Sequence, residues 1–205
     1  MKSLVVKLAL AIVLIFLCSY ASAQQKQTES RDAEFYFNRG VTSYEKGEHD
    51  EAISDFNKAL EIDPRYADAY NNRGAAYSDK GQLDQAISDC TKALEINPMS
   101  AEPHNNRGNA YQKKGQYDQA ISDYSRALEI NSNYAEAYYN RGTTYYKKGQ
   151  YDRAISDYTK ALEINPRDDN AYNNRGLAYG KEGQYDRAIS TSSCLLKMVL
   201  SRKTC

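Results

Sequence analysis

Five asparagines recur at one interval in this chain: Asn38, Asn72, Asn106, Asn140 and Asn174, each 34 residues after the last. A row of side-chain amides offers donors and acceptors together, the chemistry that grips the backbone of an extended peptide. Arginine recurs beside it, as Arg39, Arg73, Arg107, Arg141 and Arg175, with Asp55, Asp89, Asp123 and Asp157 sixteen positions after the first four. A guanidinium is a planar fork that fits a carboxylate. Groups suited to catalysis are few. His104 stands where other copies have Tyr, and His49 where they have Leu or Tyr, so both read as structural substitutes. Cys90 replaces Phe56, Tyr124 and Tyr158 and reads as a small buried hydrophobe. Cys194 and Cys205 have no His near them in sequence. The glycines are isolated and form no phosphate-binding loop. The expectation is no catalytic constellation, no metal site and no cofactor.

Composition narrows the classes further. The 205 residues carry 27 basic and 27 acidic side chains, which argues against a nucleic-acid surface. The aromatic residues are 19 Tyr, 4 Phe and no Trp. Tyr packs on one side and stays wet on the other. A mean hydropathy of −0.79 with apolar residues at fixed intervals indicates thin layers rather than one thick core.

The first 23 residues are a separate object. Lys2 and Lys7 precede or interrupt an apolar run, Leu8 to Leu17, and Ala21-Ser22-Ala23 follows. This is the order of a secretory signal peptide, with cleavage expected after Ala23. An uncleaved anchor is the alternative. Ile15, Phe16 and Leu17 before Cys18 are too large for a lipid-attachment site. Cleavage would leave 25 basic and 27 acidic residues, an exported chain in the periplasm or outside the cell, and no membrane contact. Residues 24–32 read as a polar flexible leader. Only three cysteines remain after Ala23, so packing and not disulfides must hold the repeats.

The repeated unit spans 33–66, 67–100, 101–134, 135–168 and, in part, 169–190. Positions within it are numbered 1 to 34 from Ala33. Position 4 is Tyr36, Tyr70, His104, Tyr138 and Tyr172; position 8 is Gly40, Gly74, Gly108, Gly142 and Gly176; position 11 is Tyr from the second copy on. Spacings of 4 and 3 define one face of a helix, A. Gly within a helix is unfavourable by about 1 kcal/mol relative to Ala, so it should serve close approach of a second helix. Gly47, Gly81, Gly115, Gly149 and Gly183 at position 15 suit a left-handed turn. Asp50, Asp84, Asp118, Asp152 and Asp186 at position 18 are expected to cap a helix B. Helix B has a wide apolar face, in the third copy Ala120, Ile121, Tyr124, Ala127, Leu128 and Ile130. Pro64, Pro98 and Pro166 should stop it.

This pattern of aromatic 4, Gly 8, Tyr 11, Ala 20, aromatic 24, Ala 27 and Pro 32 resembles the tetratricopeptide repeat (TPR) family. The resemblance covers residues 33 to about 190. It implies an all-α fold, a right-handed superhelical solenoid of antiparallel helix pairs with four full repeats and an incomplete fifth. It also implies a concave surface, lined by the A helices, that holds an extended peptide or a partner helix.

Two features depart from the family pattern. Position 7, usually Leu, is Arg. A ladder of Arg–Asp pairs is expected, within a repeat or between neighbours. Exposed pairs are worth only about 0–1 kcal/mol each, so the ladder should set register more than stability. The second departure is residues 191–205, which abandon the repeat for an apolar tail. A shifted or truncated reading frame is the favoured explanation over an evolved cap.

Positions 2, 5, 6, 9, 12 and 13 of helix A should face the groove. They supply the asparagine row, Asn109, the aromatics Phe37, Tyr44, Tyr139 and Tyr146, and the cations Lys113 and Lys147. The alternative is that the asparagines bond internally. Position 2 is acidic or Asn170, so the lysine clamp with which chaperone-associated family members hold a carboxylate is not expected. The reading is a non-catalytic scaffold for other proteins or peptide segments, with Gly40, Gly74, Gly108, Gly142 and Gly176 and the pairs Arg73–Asp89, Arg107–Asp123 and Arg141–Asp157 as its frame. A regulatory or adaptor part of a larger enzyme or envelope complex, and a spacer without a ligand, are the alternatives.

Overall fold

The computed structural model describes residues 30–202 and, singly, residues 17, 20, 24 and 25, with side chains as far as Ser193. All of the expected signal peptide except residues 17 and 20, and residues 26–29 of the expected leader, lie outside the described residues. The chain runs through α1 (30–45), α2 (His49–Ile62), α3 (Ala67–Asp79), α4 (Leu83–Ile96), α5 (Ala101–Lys113), α6 (Tyr117–Ile130), α7 (Ala135–Lys147), α8 (Tyr151–Ile164), α9 (Asp169–Lys181) and α10 (Tyr185–Arg202). No strand occurs among the described residues. Odd-numbered helices are the A helices and even-numbered ones the B helices. Residues 30–32, expected in the leader, begin α1, and the backbone of the expected tail continues α10 to Arg202.

Each turn from A to B is made by the position-15 glycine, at φ between 73° and 78°. A side chain would strain that left-handed backbone. The following B helix starts two residues earlier than expected. Its N-cap is Glu48, Gln82, Gln116 or Gln150, and none of these caps through its side chain. The position-18 aspartates therefore lie inside the first turn and do not cap it. There they meet the positive end of the helix dipole, and Asp50, Asp84 and Asp118 pair with Lys80, Lys114 and Lys148 of the next repeat.

Pro is not the whole stop signal of helix B. The third copy ends at Ile130 like the others although it has Ser132 in place of Pro. The residue after the helix, Asp63, Asn131 or Asn165, accepts a hydrogen bond from the backbone N–H two residues on. That side-chain turn ends the helix with or without Pro.

Consecutive helices pack side by side along the chain. A helices also touch across repeats, α3 on α5, α5 on α7 and α7 on α9, whereas no two B helices do among the described residues. The A layer is thus the tighter one, and the solenoid curves with A on the inside. Its core is small. Ala52, Ala86, Ala120 and Ala154 are fully buried, and Phe56, Cys90, Tyr124 and Tyr158 fill the space beside them. Gly108 admits Tyr124: a Cβ there would lie 2.7 Å from the ring. Burial pushes the Cys90 thiol up to about 12, so it stays protonated and acts as packing.

The arginines stitch three helices together. Arg107 Nε and Nη2 donate to Asp123 at 2.8 and 2.7 Å, and its Nη1 donates to Thr91 Oγ1 of the preceding repeat at 3.0 Å. Arg73 holds Asp89 and Asn57 in the same way, and Arg141 holds Asp157 and Ser125. The link therefore runs both within and between repeats. Sequence reasoning placed these pairs at the surface, and that is corrected: the aspartates are only 5–6% exposed. Removing one partner of such a buried pair costs about 3–5 kcal/mol. Burial pushes the Asp123 carboxyl upward, but hydrogen bonds from Arg107 and His104 outweigh this and hold it below the usual carboxylate range. In the fifth repeat Thr191 stands in the aspartate position. Arg175 reaches Thr159 at 3.3 Å and stacks on Tyr172, but its buried Nε has no hydrogen-bond partner among the described residues.

Candidate functional site

The concave face carries a cleft of about 380 Å³ between the first four A helices. Tyr44 enters it from α1, Ala75, Ser78 and Asp79 from α3, Asn106, Asn109, Gln112 and Lys113 from α5, and Glu136 and Asn140 from α7. Every one of these stands at position 2, 6, 9, 12 or 13. The period that builds the helix also decides which side chains face inward.

Hydrogen bonds pre-set the cleft. Tyr44 OH donates to Asp79 Oδ2 at 2.7 Å. Lys113 Nζ donates to the Ser78 carbonyl and hydroxyl at 3.0 and 3.1 Å, and lies 3.3 Å from Asp79 Oδ1. Gln112 Nε2 donates to Thr144 Oγ1 at 2.6 Å, and its Oε1 accepts from Lys147 at 3.2 Å. Asn109 Oδ1 accepts from Tyr124 OH at 2.8 Å, which leaves the Asn109 amide hydrogens for a ligand. Burial raises the Tyr44 phenol and the hydrogen bond to Asp79 raises it further, so it stays a neutral donor. The cleft holds Asp79 and Glu136 against Lys113, charges of both signs with acid in excess.

A second pocket of about 220 Å³ adjoins it along α7. Thr143, Tyr146 and Lys147 of α7, Tyr158 of α8, and Asn174 and Leu177 of α9 line it. Leu177 is 53% exposed, a large aliphatic side chain facing the groove in the fifth repeat where the third and fourth have Asn109 and Thr143.

The asparagine row is largely engaged within the protein. Asn106 Nδ2 donates to Asn71, Asn140 Nδ2 to Asn105, and Asn174 Nδ2 to Tyr139 OH, at 2.9, 3.1 and 3.0 Å. Each is a bond from position 6 to position 5 of the preceding repeat. Asn72 donates to the Asp68 carbonyl in its own helix. These amides clamp adjacent A helices. Phe37 packs on Tyr66 and Phe56, with ring centroids 4.8 and 5.9 Å apart, in the joint between the first two repeats. Tyr139 packs on Tyr158 at 5.8 Å.

The structure thus brings Tyr44, Asn106, Asn109, Lys113 and Asn140 together at the first cleft, and Tyr146, Lys147 and Asn174 at the second. Phe37, Asn38, Asn72 and Tyr139 line neither. Ser78, Asp79, Gln112 and Leu177 were not singled out from the sequence, although they stand on the same periodic face. Among the described residues no cluster of His, Cys, Asp and Glu is arranged to hold a metal. No described helix is long and apolar enough to cross a membrane.

Comparison with known families finds tetratricopeptide repeat models at residues 67–100 and 135–168 and at 90–122 and 157–190, and a TPR repeat model at 42–81 and 113–149. The crystal structure of the MamA protein is similar over 84% of this chain and 94% of its own, at 31% identity and a TM-score of 0.71. YrrB, described as a TPR protein with an unusual peptide-binding site, is similar over 91% of this chain and 98% of its own, at 25% identity and a TM-score of 0.64. PilF of Pseudomonas aeruginosa, at 21% identity, covers 83% of this chain and 78% of its own with a TM-score of 0.77 and shares the fold. Comparison with functionally curated proteins returns no match. The helix pairs, the glycine turns, the family models and the structural similarity agree: the chain belongs to the tetratricopeptide repeat family.

Proposed function

We propose that this protein is a non-catalytic scaffold that holds an extended peptide segment of a partner protein along its concave face. The observation that carries this reading is the pair of adjoining pockets on one face, one polar and charged, one apolar. A peptide lying across α7 would meet both. Its backbone and polar side chains would engage Asn109, Lys113 and Asp79, and one large apolar side chain would enter beside Leu177 and Tyr146. Pockets for spaced side chains along a groove give an extended ligand its specificity. The family's general role in protein–protein contact and YrrB's described peptide-binding site support the same reading.

Selection of peptides from a random displayed library tests it. Enriched sequences should contain a large apolar residue, and their binding should weaken about tenfold or more in Leu177→Asp and in Lys113→Glu, both exposed positions. No enrichment, or binding indifferent to both variants, refutes the reading. We also place the protein outside the cytoplasm, on the order of charge, apolar run and small residues in 1–23. Recovery from the envelope fraction with Gln24 as first residue is expected; a cytosolic protein that retains Met1 would refute it.

A further inference from the structure

We propose that the array associates head to tail, the exposed face of α10 in one molecule stacking on the exposed face of α1 in the next. The two ends are complementary halves of the joint that recurs inside the chain.

On the C-terminal side, Ile189 is 65% and Tyr185 68% exposed. Their counterparts Ile87, Ile121, Ile155, Tyr117 and Tyr151, each followed by another repeat, are half-buried, and Ile53 is buried. On the N-terminal side, Phe35 is 58% exposed. Its counterparts Ala69, Ala137 and Ala171 are fully buried, as are Ala76, Ala110 and Ala178 where α1 exposes Thr42. Phe35 places a ring where three inner joints have a methyl and the other has Pro103, so the end joint would be wider there than the inner ones.

Polar groups match as well, and they name the occupant. Every inner joint from the first to the fourth repeat carries a Lys at position 14 paired with the position-18 Asp of the repeat before: Lys80–Asp50, Lys114–Asp84 and Lys148–Asp118. At the ends, Lys46 and Asp186 occupy those same positions, both exposed and with no ion pair among the described residues. The arginine contact is divided in the same way. Inside the array Nη1 of each position-7 arginine donates to position 25 of the preceding repeat, which is Ser125 for Arg141. Among the described residues Arg39 binds Asp55 through Nε and Nη2 only, and Ser193 stands exposed at position 25 of the last repeat. A second copy stacked end to end would join Lys46 to Asp186 and bring Arg39 Nη1 to the Ser193 hydroxyl, repeating the inner joint. Such a contact is heterologous, so it adds molecules in a row and does not close at the dimer.

Sedimentation of the purified full chain over a wide concentration range tests this. The wild-type mass should rise with concentration and pass beyond the dimer. Lys46→Glu and Asp186→Lys should each weaken association at least about tenfold by facing like charges. An equimolar mixture of the two variants should recover it. At one kind of joint the carboxylate introduced in the first variant meets the ammonium introduced in the second; at the other kind the unaltered Lys46 and Asp186 meet. Unchanged unfolding midpoints show that the variants fold. A wild-type monomer at every concentration, variants that associate like the wild type, a mixture that does not recover, or growth that stops at a dimer and ignores Lys46→Glu would each overturn the proposal. Peptide binding by a monomer would leave the groove reading standing while this one fails.

Discussion

One substitution made in two repeats should change stability in opposite directions. In Gly108→Ala the new Cβ would lie 2.7 Å from Tyr124 Cε1 and 2.9 Å from Cδ1. Carbon atoms rest at about 3.5–4.0 Å, so the ring must move by close to 1 Å. Tyr124 is fully buried and its hydroxyl is held at 2.8 Å by Asn109, so the ring cannot swing away without breaking that bond. Overpacking of this kind costs about 1–3 kcal/mol, against a gain of about 1 kcal/mol in helix propensity. The net expectation is a loss of up to about 2 kcal/mol. In Gly176→Ala the ring is absent, because Ser192 stands in its place. The nearest described atom, Ser192 Oγ, is 3.6 Å from the new Cβ, an ordinary contact. Only the propensity term remains, a gain of about 1 kcal/mol. Solenoids unfold repeat by repeat, so the assay is native-state hydrogen exchange, read at α5–α6 for the first variant and α9–α10 for the second. Protection should fall in one and rise in the other. If both variants gain protection, or both lose it, the aromatic ring is not what requires the glycine.

Three further outcomes are expected. Asp123→Ala should lower the stability of the central repeats by about 3–5 kcal/mol by stranding Arg107 in a buried site, and a double-mutant cycle in urea with Arg107→Ala should show strong coupling; additive losses would refute the link. Thr191→Asp should give Arg175 Nε its missing acceptor and stabilise α9 by about 1–2 kcal/mol, read as slower exchange of its amides; unchanged exchange would count against it. The Arg39 hydrogen bond lowers the Asp55 carboxyl, and Asp123 is also lowered despite its burial, so both titrate below their unfolded value. Their contribution is therefore present above about pH 4 and is lost as pH falls through the folded values. The urea midpoint should stay nearly flat from neutral pH to about 5 and drop below that, less steeply in Asp123→Asn; an equal drop in that variant would refute the assignment.

Much of the architecture was legible because it is local and repeated. The left-handed turn at Gly115 needs no partner to be recognised. A contact that recurs in each copy, such as Arg107 with Asp123, announces itself by its spacing. Legibility failed where two residues of register mattered. Asp118 looked like a cap, but the glycine turn leaves only Gln116 before the helix, so Asp118 is already within it. It failed again with the stop signals, where Pro was conspicuous and Asn131, which makes the turn itself, was not.

By itself the sequence determined the period, the helix pairs and the inward face of each A helix, since all three follow from side-chain type and a spacing of 3.6 residues per turn. Only the tertiary structure decided which inward groups remain available. Asn106 and Asn140 point toward the groove, yet their amides are held by Asn71 and Asn105 across the repeat joint. Phe37 and Tyr139, equally well placed by periodicity, are absorbed into joints whose neighbouring rings lie close enough to receive them. The Asn109 amide hydrogens and Leu177 remain at the two pockets. The reason is that availability depends on distances between residues roughly one repeat apart in sequence, and those distances are set by how closely the A helices pack.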